Sequence, residues 1–391
     1  MKLLVTGSSG FIGRNLVVVL KRQSDVEIVE YDLGAPESLL DEGLATADVI
    51  FHLAGINRPD KVEDYDSGNA GFTQELCERL TELDRKPTII FSSSIQATLD
   101  NPYGISKRRA EEELLKLSEQ TGIRIVILRM KNVFGKWCRP NYNSAVATFC
   151  HNIARNLPIT VNDPSSEINL VYVDDVCAAM MEAAGLLTSP PKHFTSSSES
   201  VYAEITPALK ITLGALVDII HSFKAIRSSL HAPAFNDPFI CRLYATYLSY
   251  LEEPDFSYEL DIKTDNRGSL AEFLKSASFG QIFVSRTKPG ITRGNHYHHT
   301  KTEKFLVVQG EAIIRFRDIR TEVGGQEAKV NGRRLNVIEY RVSGDKFQVV
   351  DIPPGYTHSI ENVGESELVT LFWANQIFDP EDPDTYYCEV Q

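Results

Sequence analysis

The first 130 residues alternate between two spacings of apolar positions. Short apolar runs, KLLVTG (2–7), VEIVEYD (26–32), DVIFHLAG (48–55), PTIIFSSS (87–94) and IRIVILRM (123–130), are each bounded by turn-forming or charged residues. That is the pattern of buried strands. Between them the spacing becomes helical, at 11–23, about 65–83 and 103–121. The last of these carries apolar Ile105, Leu114, Leu115 and Leu117 among dense charge, with Gly122 as its stop. Strands and helices alternating in this way predict a parallel sheet covered on both faces.

Residues 140–255 are less regular. VNDPSSEINLVYVDDVCAAMMEAAGLL reads as a turn, a strand and a helix from Asp174, and KITLGALVDIIHSF as a helix capped by Thr212. These helices are expected to form a second lobe over the sheet. Beyond about 255 helical spacing disappears. The runs SLAEFLK, GQIFVSRT, EKFLVVQG, AIIRFRD, NVIEYRV, FQVVDIP, HSIENV and LVTLFWA follow one another, punctuated by Gly, Asn and Pro. Many short strands without helices predict an all-β barrel or sandwich. The boundary falls at LEEPDFSYEL, giving domains 1–252 and 253–391. TEVGGQEAKVNGRRLN (321–336) reads as an added surface loop.

Composition narrows the function. A formal charge of −13, with no basic stripe, argues against a nucleic-acid partner. No apolar run approaches a membrane span of about 18 residues, and the N-terminus enters a strand directly, without the pattern of a signal peptide. The six cysteines (77, 138, 150, 177, 241, 388) are scattered and form no C-x-x-C pair. They fit reduced thiols in a cytoplasmic enzyme and leave any metal site to His and carboxylate.

VTGSSGFIGRNL places Gly7, Gly10 and Gly13 after a strand and at a helix start. Glycines there permit a tight turn, and the exposed N–H groups of the helix start bind a pyrophosphate. The fold class is therefore an α/β Rossmann-type doubly wound sheet. Asp32 ends the second strand, 19 residues past Gly13, where an acidic residue bonds the ribose hydroxyls of NAD. Arg14 follows the last glycine and is placed to receive a 2′-phosphate instead, so NAD(H) and NADPH both stay open. The candidate cofactor residues are Gly7, Gly10, Phe11, Ile12, Gly13, Asp32, Ala54 and Lys107.

FSSSIQATLDNPYGISKRRAEEEL contains Tyr103 and Lys107 one helical turn apart. An ammonium beside a phenol lowers its pKa, so that the tyrosine can exchange a proton with a carbonyl or alcohol. HLAG (52–55), SSS, YGISK, LRMKNVFG (128–135) and VYVDDV (171–176) fall in the order of the extended short-chain dehydrogenase/reductases, which residues 1–250 resemble. The resemblance implies Ser94 as the catalytic serine, with Ser93 its alternative, beside Tyr103 and Lys107. The nine-residue interval from Ser94 to Tyr103 is shorter than in most members. It also implies a nucleotide-sugar substrate, with Asn132, Arg139, Asn141 and Asn143 offering donors to a UDP-sugar.

GNHYHHTKTEKFLVVQG (294–310) places His296 and His298 on one strand face and Glu303 on the next strand. DIPPGYTHSIEN adds His358. Three imidazoles and a carboxylate suit a divalent first-row metal, zinc foremost, with iron or manganese as alternatives. Both segments resemble the two motifs of the cupin fold, although Gly344 lies further from Pro353 than is usual. His299 is expected to face away from the cluster.

Across both domains, SSSIQAT, DNPYG, GKWC, PNYNS, ATFC, IARN, YVDD, YLSYL, DFSY, KPGIT, HHTK, EKFLVV and FDP resemble the CapF-type bifunctional enzymes of capsular polysaccharide synthesis. That resemblance implies C3 epimerisation of a UDP-4-keto-6-deoxy-N-acetylhexosamine in a zinc-bearing cupin. It further implies reduction at C4 with NADPH, a homodimer, and a product leading to UDP-N-acetyl-L-fucosamine. The competing reading is a single-function UDP-sugar reductase, or an NAD-dependent epimerase/dehydratase, with a structural cupin.

Overall fold

The computed structural model describes residues 1–83, 85–187, 194–195, 201–319, 329–330, 333–334 and 337–390. The chain divides into two compact units, Met1–Lys224 with Pro238–Glu252, and Ala225–Asp237 with Glu253–Gln391.

In the first unit, β1 (Lys2–Thr6), β2 (Glu27–Tyr31), β3 (Val49–His52), β4 (Thr88–Ser94), β5 (Ile125–Met130) and β9 (Tyr202–Ile205) form a parallel sheet. Its order is β2-β1-β3-β4-β5-β9, and the two-residue β8 (Phe194–Thr195) joins antiparallel at the edge. Successive strand residues face opposite sides, which is why the strands read as continuous apolar runs. Leu3, Val5, Phe51, Ile90, Val126 and Leu128 pack on one side with Leu16 and Leu20 of α1 (Phe11–Leu20) and Val176 and Met180 of α6 (Val173–Ala183). On the other side, Leu4, Ile50, Ile89, Phe91, Ile125 and Ile127 meet three helices, α2 (Glu37–Thr46), α3 (Phe72–Glu82) and α4 (Pro102–Thr121).

The expected helix at 65–83 opens as a π-helical turn, Asp66–Gly71, before α3. α4 is capped by the Asn101 side chain, and it ends at Gly122 with φ +75°, the stop its sequence foretold. The pattern did not reveal α2. One of its buried positions is Gly43, whose Cβ would lie 2.7 Å from Leu4; a glycine that packs closely leaves no apolar mark. β6 (Asn132–Phe134), β7 (Glu167–Tyr172) and β10 (Leu209–Thr212) make a separate three-stranded sheet. α5 (Ala145–Ala154), α7 (Leu213–Ser229) and α8 (Pro238–Leu248) complete the helices. Thr212 Oγ1 accepts from Ala215 N–H at 3.2 Å, capping α7 as expected.

The second unit pairs two antiparallel sheets. One has the order β11 (Ile262–Asp265), β12 (Gly268–Ser276), β13 (Gly280–Thr287), β22 (Leu368–Ala374), β15 (Glu303–Gln309), β20 (Val349–Ile352). The other runs β19 (Ile338–Ser343), β16 (Glu311–Asp318), β21 (Tyr356–Asn362), β14 (Thr292–Tyr297), β23 (Tyr386–Tyr387). Phe305, Val307, Val350 and Phe372 of the first sheet pack against Ile314, Phe316, Val342 and Ile360 of the second, giving one shared core. This is a cupin-like β domain, and each of the eight apolar runs contributes a strand to it. Most of the loop expected at 321–336 lies outside the described residues; its short ladder pairs β17 (Lys329–Val330) with β18 (Arg333–Arg334). No described helix is long and apolar enough to cross a membrane.

Candidate functional site

The glycine turn links β1 to α1. Gly7 has φ +71°, and a Cβ on it would lie 2.6 Å from Ala54 N. One on Gly13 would lie 2.1 Å from Gly7 O. Close backbone approach therefore demands glycine at both positions, and Ala54 supports the turn from behind. Gly10 precedes α1 without a side-chain cap, leaving the first N–H groups of the helix available to an anion.

A cleft of about 450 Å³ opens beside this turn. Gly10, Phe11, Ile12 and Arg14 line one part, Ser94, Tyr103 and Lys107 another, and Asn132, Arg139, Tyr142 and Asn143 a third. Asn141 is not among its lining residues; with φ +54° it shapes the loop, and its N–H donates to Thr148 Oγ1 at 3.0 Å. Asp32 is partly exposed and engaged. It accepts from Ser9 N–H at 2.6 Å and Leu33 N–H at 2.8 Å, and also from the Ser9 hydroxyl. Arg14 makes no ion pair among the described residues.

Tyr103 and Lys107 share the face of α4 that meets the cleft. Burial pushes the Tyr103 phenol up to about 12, opposed by a hydrogen bond with Ser94. Burial likewise lowers Lys107 to about 8, opposed by the charge of Glu111. The expected lowering of the phenol by the ammonium is not found: burial dominates, and the one opposing contact is Ser94. Lys107 Nζ donates to Ser92 O at 2.9 Å and lies 4.8 Å from the Phe91 ring centre.

The two serines separate by partner. Ser94 bonds Tyr103, whereas the buried Ser93 hydroxyl donates to Glu111. Glu111 lies one turn beyond Lys107, is buried, and receives Arg129 Nε at 3.0 Å and Nη2 at 2.5 Å. Sequence reasoning missed this pair. It also missed Asn69, buried in the π-helical turn, which bonds Ile56 N–H, Ile56 O and Ser106 Oγ, each at 3.0 Å. The repeat Tyr103, Lys107, Glu111 at intervals of four was the available signal for Glu111.

In the second unit, His296, His298, Glu303 and His358 converge, with their donor atoms all within 4.8 Å of one another. His296 pairs across the sheet with His358, after a bulge at Gly294/His296 where Gly294 has φ +97° and Asn295 +59°. A bulge re-aims the side chains that follow it. Glu303 opens β15, and its Oε2 lies 3.3 Å from His298 Nε2 and 3.4 Å from His358 Nε2. Neither nitrogen makes an aligned hydrogen bond, although both are buried. Buried polar atoms without a partner call for an explanation, a bound ion among them, and a divalent cation fits these donors.

Burial lowers His296 to about 4, and His358 beside it adds to the effect. Burial alone would raise Glu303, but contact with His298 and His358 outweighs it and holds the carboxyl at about 2. At neutral pH the set therefore includes a neutral imidazole and an ionised carboxylate, forms that bind metal. His299 is excluded from the cluster as expected, its ring instead 4.8 Å from that of Tyr386.

Residues 3–194 match the NAD dependent epimerase/dehydratase family, and residues 263–386 the polysaccharide biosynthesis C-terminal domain. Over its whole length the chain is 44% identical to a UDP-2-acetamido-2,6-beta-L-arabino-hexul-4-ose reductase of Pseudomonas aeruginosa, covering 99% of that protein. The crystal structure of the capsular polysaccharide assembling protein CapF from Staphylococcus aureus superposes with a TM-score of 0.88, 45% identity and full coverage of both chains. The chain belongs to the CapF-type family. A UDP-glucuronic acid 4-epimerase from Bacillus cereus, 18% identical, covers 64% of the chain with a TM-score of 0.52 and shares the fold of that part.

Proposed function

We propose that this CapF-type chain is a bifunctional nucleotide-sugar enzyme. Its second unit inverts C3 of a UDP-4-keto-6-deoxy-N-acetylhexosamine, and its first reduces C4, towards UDP-N-acetyl-L-fucosamine for capsular or O-antigen polysaccharide. The observation that carries this reading is the joint presence of two sites. One is the Ser94–Tyr103–Lys107 cleft, the other the buried quartet of His296, His298, Glu303 and His358. The full-length identity to a UDP-keto-sugar reductase supports the substrate class.

In reduction, Tyr103 acts as the acid. A phenol held at about 12 is protonated at neutral pH and has a proton to give to the C4 oxygen. Ser94, bonded to that phenol, polarises the same oxygen. Lys107, at about 8, carries charge at neutral pH and steadies the phenolate left behind. A bound nicotinamide supplies the hydride. NADPH is the favoured form, because Asp32 is engaged by Ser9 and Leu33 while Arg14 is left for a 2′-phosphate.

In epimerisation, the C4 ketone makes the C3 proton acidic, and that proton exchanges with solvent water and returns on the opposite face. Glu303 and the imidazoles would hold a divalent cation, zinc by preference, which would supply Lewis-acid stabilisation of the charge at the C4 oxygen.

That no disulfide joins the six cysteines supports a reducing, cytoplasmic setting. An apolar row, Val284–Leu371–Leu306–Val349, runs across the outer face of the larger cupin-like sheet and supports a homodimer, testable by light scattering.

The deciding experiment follows the C3 and C5 protons of the 4-keto substrate by NMR in D2O without nicotinamide. Exchange at C3 should persist in Tyr103→Phe and vanish in His296→Ala. Absence of exchange in wild type, with NADPH consumed once it is added, would leave only a reductase with a structural cupin.

A further inference from the structure

His298 must present Nε2, and not Nδ1, to the quartet. What holds it that way comes from the far end of the chain. His298 Nδ1 lies 2.6 Å from the carbonyl oxygen of Asp384. A carbonyl only accepts, so Nδ1 carries a proton, and in the neutral ring Nε2 is then the nitrogen whose lone pair faces the quartet. The ring is 2% exposed, which leaves little room for another orientation.

The side chain of Asp384 works on the same segment. Its carboxylate accepts from the N–H groups of His299 (2.9 Å), Thr300 (2.9 Å) and Lys301 (2.8 Å), and from Thr300 Oγ1 (2.9 Å). Burial alone would raise this carboxyl, but the three N–H bonds prevail and lower it. Asp384 has φ +38°, rare for a residue with a side chain. Its neighbours tie down the same stretch. Lys301 Nζ donates to Pro383 O at 2.5 Å, β23 pairs with His296 and Tyr297, and Cys388 N–H donates to Asn295 O at 2.9 Å.

We propose that Asp384 is a positioning residue for the metal quartet. Its carboxylate fixes the 298–301 turn, and its carbonyl fixes His298 as the Nδ1–H tautomer. Partners of this kind typically change metal affinity by about 10- to 100-fold. The inference rests on the quartet's being a metal site, as proposed above.

The test measures Zn2+ affinity of the full-length protein by competition with a chromophoric chelator. Wild type, His298→Ala, Asp384→Asn and Tyr387→Phe are compared. An amide at 384 has one accepting oxygen in place of two and cannot maintain the four bonds. Asp384→Asn should therefore bind zinc at least about tenfold more weakly. Tyr387→Phe, which removes only the bond from Tyr387 to Glu389, should bind as wild type does. Unchanged affinity in Asp384→Asn, or an equal loss in Tyr387→Phe, would overturn the assignment. Wild type without zinc affinity, or His298→Ala with full affinity, would overturn the metal site itself and this inference with it. Long-range 1H–15N NMR of the zinc-free wild type avoids variants altogether. It should find Nδ1 protonated, and a ring protonated on Nε2 alone would refute the proposal.

Discussion

Lys107→Met should show that the reductase site carries a conformational cost whose size depends on pH. Lys107 is 4% exposed, and burial lowers its pKa from 10.5 to about 8. Unfolded chains therefore bind more protons than folded ones between those values, and stability rises with pH across that window. Below 8 the buried charge opposes folding by about 3 kcal/mol, falling to about 1 kcal/mol at pH 10. Methionine carries no such term. The lost bond to Ser92 O shifts the variant's stability by the same amount at every pH. The difference between variant and wild type should thus change by about 2 kcal/mol from pH 7 to pH 10, in the wild type's favour as pH rises. Urea unfolding can read this one unit at a time, because the two tryptophans are Trp137 and Trp373. In a Trp373→Phe background, Trp137 reports the first unit, and the relative midpoint should move by about 1 M. The same variant should lose reduction by at least about 100-fold. A stability difference independent of pH would refute the reasoning.

Three further substitutions test single contacts. Ser94→Ala should slow NADPH oxidation by about 100-fold, while Ser93→Ala should chiefly lower stability, by about 2 kcal/mol, through the lost bond to Glu111. The reverse pattern in kinetics and urea melts would move the catalytic role to Ser93. Gly294→Ala places a Cβ 2.7 Å from His358 O at φ +97° and should lower zinc content measured by atomic emission; full zinc occupancy would show that the bulge tolerates a side chain. Arg14→Ala should raise the KM for NADPH by about tenfold or more and leave NADH unchanged, and an equal effect on both would remove the 2′-phosphate role.

The parts of the fold legible in the sequence are those where burial follows strand or helix spacing. β1, β3, β4 and β5 carry continuous apolar stretches because both faces of the sheet are covered, and the eight cupin-like strands declare themselves by composition. β14 was recognisable only through its chemistry. TRGNHY is a polar string, since its inward positions carry donors where other strands carry packing residues. β23 is two exposed tyrosines, with no burial to mark it. The same limit applies to the sites. The glycine turn, Tyr103 with Lys107, and the quartet are local strings and could be read directly. Glu111 meets Ser93 and Arg129, each 18 residues away, and Asp384 meets His298 across 86. The four-residue repeat marks Glu111 as facing the site, but whom it meets, like the partner of Asp384, depends on chain closure and is not encoded by spacing within a segment.

In the proposed two-step reaction the chemistry fixes the order, and that order can be tested. The C3 proton is acidic only while C4 is a ketone, because charge left at C3 must spread onto the C4 oxygen. Once Tyr103 has delivered its proton and C4 is an alcohol, the C3 proton is no longer acidic and does not exchange at a useful rate. Reduction therefore traps whichever C3 epimer it consumes, even if the epimers interconvert freely beforehand. With substrate, NADPH and enzyme in D2O, deuterium at C3 should enter the product only through exchange that precedes reduction. The purified product, returned to fresh enzyme in D2O without nicotinamide, should keep its C3 proton unchanged. Exchange into that product would mean that the cupin-like unit acts after reduction, and would remove the chemical reason for joining these two activities in one chain.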